Sequence, residues 1–209
     1  MDIILVHGMG RTPLSMLLLR QRLRAAGFKP KLFGYSPTFE NFEPCASRLL
    51  AYIQKSTGSH AYALVGHSLG TVLIRAILPQ LQDRPPAACF FLAPPSQVCR
   101  AAQFFADNPL YKRLMGEMGQ LLADRAFMDS LPEPKIPTRI YAGTYGFTGQ
   151  LSPFGEEPND GVLTVAETRG AWPAQVVLTP STHTFIMNSR LVAEDITATL
   201  AQLRAPAPG

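Results

Sequence analysis

Tyr62-Ala63-Leu64-Val65-Gly66-His67-Ser68-Leu69-Gly70-Thr71-Val72-Leu73-Ile74 is the stretch whose reading decides the fold. An apolar run reads as a buried strand. It enters Gly66-His67-Ser68-Leu69-Gly70, after which Leu69, Val72, Leu73, Ala76 and Ile77 recur at helical spacing. Gly-x-Ser-x-Gly between a strand and a helix is the pattern of a nucleophile elbow. A serine at so sharp a corner is held in a strained backbone conformation that pushes its hydroxyl clear of the sheet. Residues two before and two after it crowd the neighbouring backbone, where glycine brings no Cβ. The helix that follows aims free N–H groups at the place where an attacked carbonyl would gain negative charge. The plain alternative is a tight turn with a surface serine, and the rest of the chain decides between them.

Working outward, strand-like apolar runs lie at 3–6, 30–35, 62–65, 88–93, 138–142 and 175–179. The first, third and fourth are almost continuously apolar, as strands buried on both faces are. Helical patterns lie between them at 14–26, 42–56, 69–81 and 188–203. This alternation predicts an α/β fold: a three-layer, doubly wound sandwich with a mostly parallel sheet of about six strands. With 209 residues and no linker, one domain over 1–209 is expected.

Residues 94–137 interrupt the alternation, being longer than a plain crossover needs. Leu110, Leu114, Met118, Leu121 and Leu122 form one helical stripe there. The segment reads either as an ordinary core-facing helix or as a small cap-like insertion. A cap would offer Phe104, Phe105, Leu110 and Met115 to an acyl chain. It follows the strand after the elbow, at the sheet edge where α/β sites form.

Composition narrows the function classes. Hydrophobic residues make up 46 % of the chain, as in ordinary globular proteins. No apolar run reaches the roughly 18–20 residues of a membrane span. The first strand opens without a basic lead, unlike a signal peptide, so a cytoplasmic protein is expected. Cys45, Cys89 and Cys99 lack a Cys-x-x-Cys spacing and sit among apolar neighbours, which reads as buried free thiols. The net charge of +4 is carried mainly by arginines. Arg20, Arg22 and Arg24 share one helix, either as a solvated face or as a contact for an anionic partner such as a lipid surface. No nucleic-acid-binding motif accompanies them. Oligomeric state leaves no mark in the sequence.

A serine nucleophile needs a base, itself oriented by a third group. Of His7, His60, His67 and His183, only His183 follows a late strand, in a short loop before the last helix. That keeps the chain order nucleophile, acid, base. Asp160, in Asn159-Asp160-Gly161, is the first candidate for the acid, with Glu156 and Glu157 on the same loop in reserve. The oxyanion donors are assigned to the N–H groups of Leu69 and of Met9, which lies in His7-Gly8-Met9-Gly10 after the first strand. No metal or cofactor is required by this chemistry.

These ordered motifs resemble the α/β-hydrolase superfamily, and among its members small bacterial lipases and esterases. The motifs are His7-Gly8-Met9-Gly10, Gly66-His67-Ser68-Leu69-Gly70, Asn159-Asp160-Gly161-Val162 and His183. The resemblance runs from residue 2 to about 203. It implies a serine hydrolase that cleaves carboxylic esters, with a small-molecule acyl ester as substrate, through an acyl-enzyme. Ser68 would attack, His183 serve as base and then acid, and Asp160 orient it. Two departures stand out: the chain opens directly on the His-Gly strand, which points to a minimal core, and 94–137 is longer than in the smallest lipases. A thioesterase or acyltransferase would use the same triad. A lipase acting at a lipid surface and a non-catalytic binding module are further alternatives; the last is expected to have lost a triad member.

Overall fold

The computed structural model describes residues 1–100, 103 and 108–204, without the side chains of residues 109, 111, 112 and 204. Six strands form one parallel sheet: β1 (Asp2–Val6), β2 (Lys29–Phe33), β3 (Tyr62–His67), β4 (Ala88–Leu92), β5 (Thr138–Gly143) and β6 (Gln175–Thr179). Their order is β2-β1-β3-β4-β5-β6. Around them lie α1 (Leu17–Ala25), α2 (Phe42–Thr57), α3 (Leu69–Ile77), α4 (Pro109–Leu121), α5 (Arg125–Ser130), α6 (Val165–Arg169) and α7 (Arg190–Arg204).

Alternate residues of each strand point to opposite faces, and this splits the core in two. Ile4, Val6, Leu64, Phe91 and Ile140 face the cluster built with α2 and α3. Ile3, Leu5, Val65, Phe90 and Tyr141 face the cluster built with α1 and α7. The result is the expected three layers. Pro30 pairs with Ile3 in edge strand β2, where a residue without an N–H is tolerated.

Helix boundaries shift for local reasons. The apolar pattern over 14–26 is a 3₁₀ turn, Pro13–Met16, leading into α1. The pattern over 69–81 is α3 followed by the 3₁₀ turn Leu78–Leu81, because Pro79 has no N–H to continue the α ladder.

The apolar stripe between residues 110 and 122 is broken. Gly116 (φ 62°) interrupts α4. Beyond it Met118 and Leu122 are buried in the α2–α3 cluster, whereas Leu110 and Leu114 before it are 63 % and 54 % exposed. The stripe therefore does not face one core. The chain after α5 is held by Arg75 of α3, which is buried and donates to the carbonyls of Leu131 (2.9 Å) and Pro132 (3.1 Å). Its guanidinium lies 4.7 Å from the Trp172 ring centre. Burial lowers its pKa to about 10, still well above neutrality, so the cation persists.

Candidate active site

The strand order reverses direction beside β1: β2 lies on one side of it and β3 on the other. Ligand sites of open α/β sheets form outside the carboxyl ends of the strands at such a switch point. Ser68 leaves β3 there, and the His7–Gly10 turn leaves β1 beside it.

Ser68 has φ 49° and ψ −120°, a conformation that non-glycine residues rarely adopt. The surrounding contacts explain how it is held. Its N–H donates to the Leu92 carbonyl (2.9 Å), and its carbonyl accepts from the Thr71 N–H (2.9 Å) and hydroxyl (2.7 Å). A Cβ on Gly66 would come within 2.9 Å of the Thr71 nitrogen, and one on Gly70 within 2.6 Å of the His7 carbonyl oxygen. Both elbow glycines are therefore required by packing against backbone, which cannot move aside cheaply.

His183 Nδ1 lies 2.8 Å from Asp160 Oδ2, and its Nε2 lies 3.0 Å from Ser68 Oγ. The other carboxylate oxygen, Oδ1, accepts from the N–H groups of Val162 (2.9 Å) and Leu163 (2.8 Å). A carboxylate can only accept, so the His183 proton sits on Nδ1 and the Nε2 lone pair faces the serine hydroxyl. Asp160 is buried, its carbonyl accepts the His183 N–H (2.8 Å), and the two loops come together across Gly143. A Cβ there would meet Asp160 Cβ and the Ser181 carbonyl, each at 2.6 Å.

Leu69 is the first residue of α3, so its N–H belongs to the turn that a helix leaves without internal partners. Among the described residues, no acceptor pairs with the N–H of Leu69 or of Met9. Tyr35 shapes the Met9 turn: its hydroxyl donates to the His7 carbonyl (2.7 Å) and its ring stacks on His7 at 4.3 Å. The second half of α4 abuts the same turn, since a Cβ on Gly119 would lie 3.5 Å from Met9 Cε.

The other predicted residues fare differently. Phe104 and Phe105 lie outside the described residues. Met115 is half-buried and packs back on its own helix at Gly119, while Leu110 is exposed. Glu157 pairs with Arg100 (3.3 Å). Glu156 has no hydrogen bond to His183; Asp160 occupies that position. Among the described residues no group of three or more His, Cys, Asp or Glu side chains is placed to hold a metal ion, and no helix is long and apolar enough to cross a membrane.

Sequence reading missed Asn159 as a structural residue. It is fully buried. Its amide donates to the carbonyls of Phe147 (3.0 Å) and Glu157 (2.9 Å), and its oxygen accepts the Gly161 N–H (2.9 Å). It therefore ties the long loop before it to the turn that carries Asp160. The signal was present: Asn and Asp side chains bond their own backbone two residues on.

Residues 3–207 match the sequence model of the alpha/beta hydrolase family. The chain belongs to this family. Among solved structures it resembles the Bacillus licheniformis lipase BlEst2, with a TM-score of 0.69 at 18 % identity over 97 % of this chain and 91 % of that one. It also resembles the RedJ thioesterase of the Streptomyces coelicolor prodiginine pathway, with a TM-score of 0.61 at 17 % identity over 97 % and 85 %. At these identities the likeness is one of fold. A search of curated proteins finds no match. For an alpha/beta hydrolase, the serine at the elbow, the two loops over it and the Gly-rich turn beside it occupy one edge of one sheet.

Proposed function

We propose that this alpha/beta hydrolase cleaves carboxylic esters through an acyl-enzyme on Ser68. The observation that carries the reading is the continuous line Asp160 Oδ2, His183 Nδ1, His183 Nε2, Ser68 Oγ, with steps of 2.8 and 3.0 Å. Ser68 Oγ attacks the ester carbonyl carbon while its proton passes to His183 Nε2. The N–H groups of Leu69 and Met9 hold the resulting oxyanion; losing one such donor typically costs about 2.7–4 kcal/mol of transition-state stabilisation. The imidazolium then protonates the leaving alcohol and the C–O bond breaks. Water repeats the sequence in the deacylation half. Asp160 keeps the imidazole in the productive tautomer and balances its transient charge.

We further read residues 94–137 as an insertion that caps the site. The contact of α4 with Met9 supports this, because it brings the insertion against the oxyanion turn. The exposed Leu110 and Leu114 are then apolar surface for an acyl chain. Thioester cleavage is the second reading, favoured by the likeness to RedJ.

Labelling with a fluorophosphonate tests the proposal. One probe should add to Ser68, located by peptide mapping, and Ser68→Ala should not label. A folded wild-type protein that does not label would overturn the reading. Comparing matched acyl esters and acyl-CoA thioesters as substrates separates the two reaction classes.

A further inference from the structure

We infer that His67 is a positioning residue for His183: its Nε2–H holds the backbone carbonyl of the base and so fixes the imidazole over Ser68. This rests on the reading of Ser68, His183 and Asp160 above.

His67 Nε2 lies 2.9 Å from the His183 carbonyl oxygen. A carbonyl only accepts, so the proton of His67 sits on Nε2. The opposite nitrogen, Nδ1, is then bare, buried and without a hydrogen-bond partner. It faces Gly8, where a Cβ would come within 2.7 Å of it. Burial holds the His67 pKa well below the usual histidine value; the electrostatic influence of His183, Arg11 and His7 acts in the same direction, and the hydrogen bond to the His183 carbonyl opposes it without reversing it. The ring is thus a neutral donor.

Its mounting is rigid. His67 is the last residue of β3 and pairs with Leu92 of β4. The stretch around His183 has other hydrogen-bonded anchors as well. The His183 N–H donates to the Asp160 carbonyl at 2.8 Å, the Tyr145 N–H to the Ser181 carbonyl at 3.2 Å, and Arg11 Nη2 to the Thr184 carbonyl at a long 3.5 Å. Among these, the His67 bond alone joins the base's own backbone to the strand that carries the nucleophile. The two rings lie 5.1 Å apart, tilted by 50°. Because Asp160 still grips His183 when His67 is removed, the effect should be partial. It should sit near that of one misplaced hydrogen bond, about tenfold, and far from the roughly 10⁴-fold loss of a triad member.

The test compares His67→Gln, His67→Asn and His67→Leu. A glutamine amide can place its nitrogen near the imidazole Nε2; an asparagine amide falls short of it. The readouts are kcat and KM on a soluble p-nitrophenyl ester, the fluorophosphonate labelling rate and the thermal unfolding midpoint. We expect H67N and H67L to lose about tenfold or more in kcat and labelling rate with little change in KM, and H67Q to stay within about threefold of wild type. Equal rates for H67Q and H67N, or wild-type rates for H67N, would overturn the inference. So would loss of folding in both amide variants, which would make the ring a packing element. Failure of the wild type to label at Ser68 would instead sink the triad reading.

Discussion

Helices α3 and α4 carry similarly spaced apolar residues, and the structure treats them differently. In α3, Leu69, Val72, Leu73 and Ile77 are all fully buried. The helix is born at the elbow with Gly70 pressed against the His7 backbone, so its roll relative to the sheet is fixed from its first turn. In α4, the left-handed Gly116 lets the chain break, and a Cβ there would run into the Thr38 carbonyl. Among the described side chains, those that join the core lie after the break. Periodicity tells which residues of a helix share a face. What that face meets depends on how the ends of the helix are tied down.

Matched truncations sharpen this contrast. Leu73→Ala in α3 should cost about 3 kcal/mol, within the usual range for emptying a fully packed leucine site. Leu114→Ala in α4 should stay within about 0.5 kcal/mol, as exposed substitutions do. Denaturant unfolding of both variants checks the pair. Equal losses would mean that Leu114 is buried in solution. If the insertion caps the site, Leu114→Ala should instead lower turnover of long-chain esters relative to short ones.

A smaller effect concerns pH and the histidines at the elbow and beside it. Burial depresses the pKa of both His7 and His67. The unfolded chain then binds more protons than the native one once the pH falls below the ordinary histidine value of about 6.5. Stability from these groups is fully present above that pH and is lost as the pH falls toward their folded values. The unfolding midpoint should therefore drop between about pH 6.5 and 5, and less so in His67→Gln. An unchanged pH slope in that variant would show that His67 does not contribute to the acid loss.

Much of the fold could be read in the chain because its signals are local. Strands buried on both faces leave apolar runs, and β1, β3 and β4 fall within two residues of them. Ser68, Asp160 and His183 each follow a strand, at β3, β5 and β6, and that ordering alone put them at one edge of the sheet. Residues acting across the chain were not legible. His67 meets the carbonyl of a residue 116 positions away, and Arg75 grips carbonyls 56 and 57 positions away. Neither leaves a periodic trace. The sequence pattern between residues 110 and 122 showed a helix and could not show that Gly116 would divide it.

Everything proposed for the site turns on Ser68 as the nucleophile of an ester hydrolase. The most direct measurement is hydrolysis of a p-nitrophenyl ester by wild type and Ser68→Ala, with the unfolding midpoints recorded side by side. With Ser68 as nucleophile, the variant should lose about four orders of magnitude or more in kcat with an unchanged fold. Equal turnover by the folded variant would contradict it.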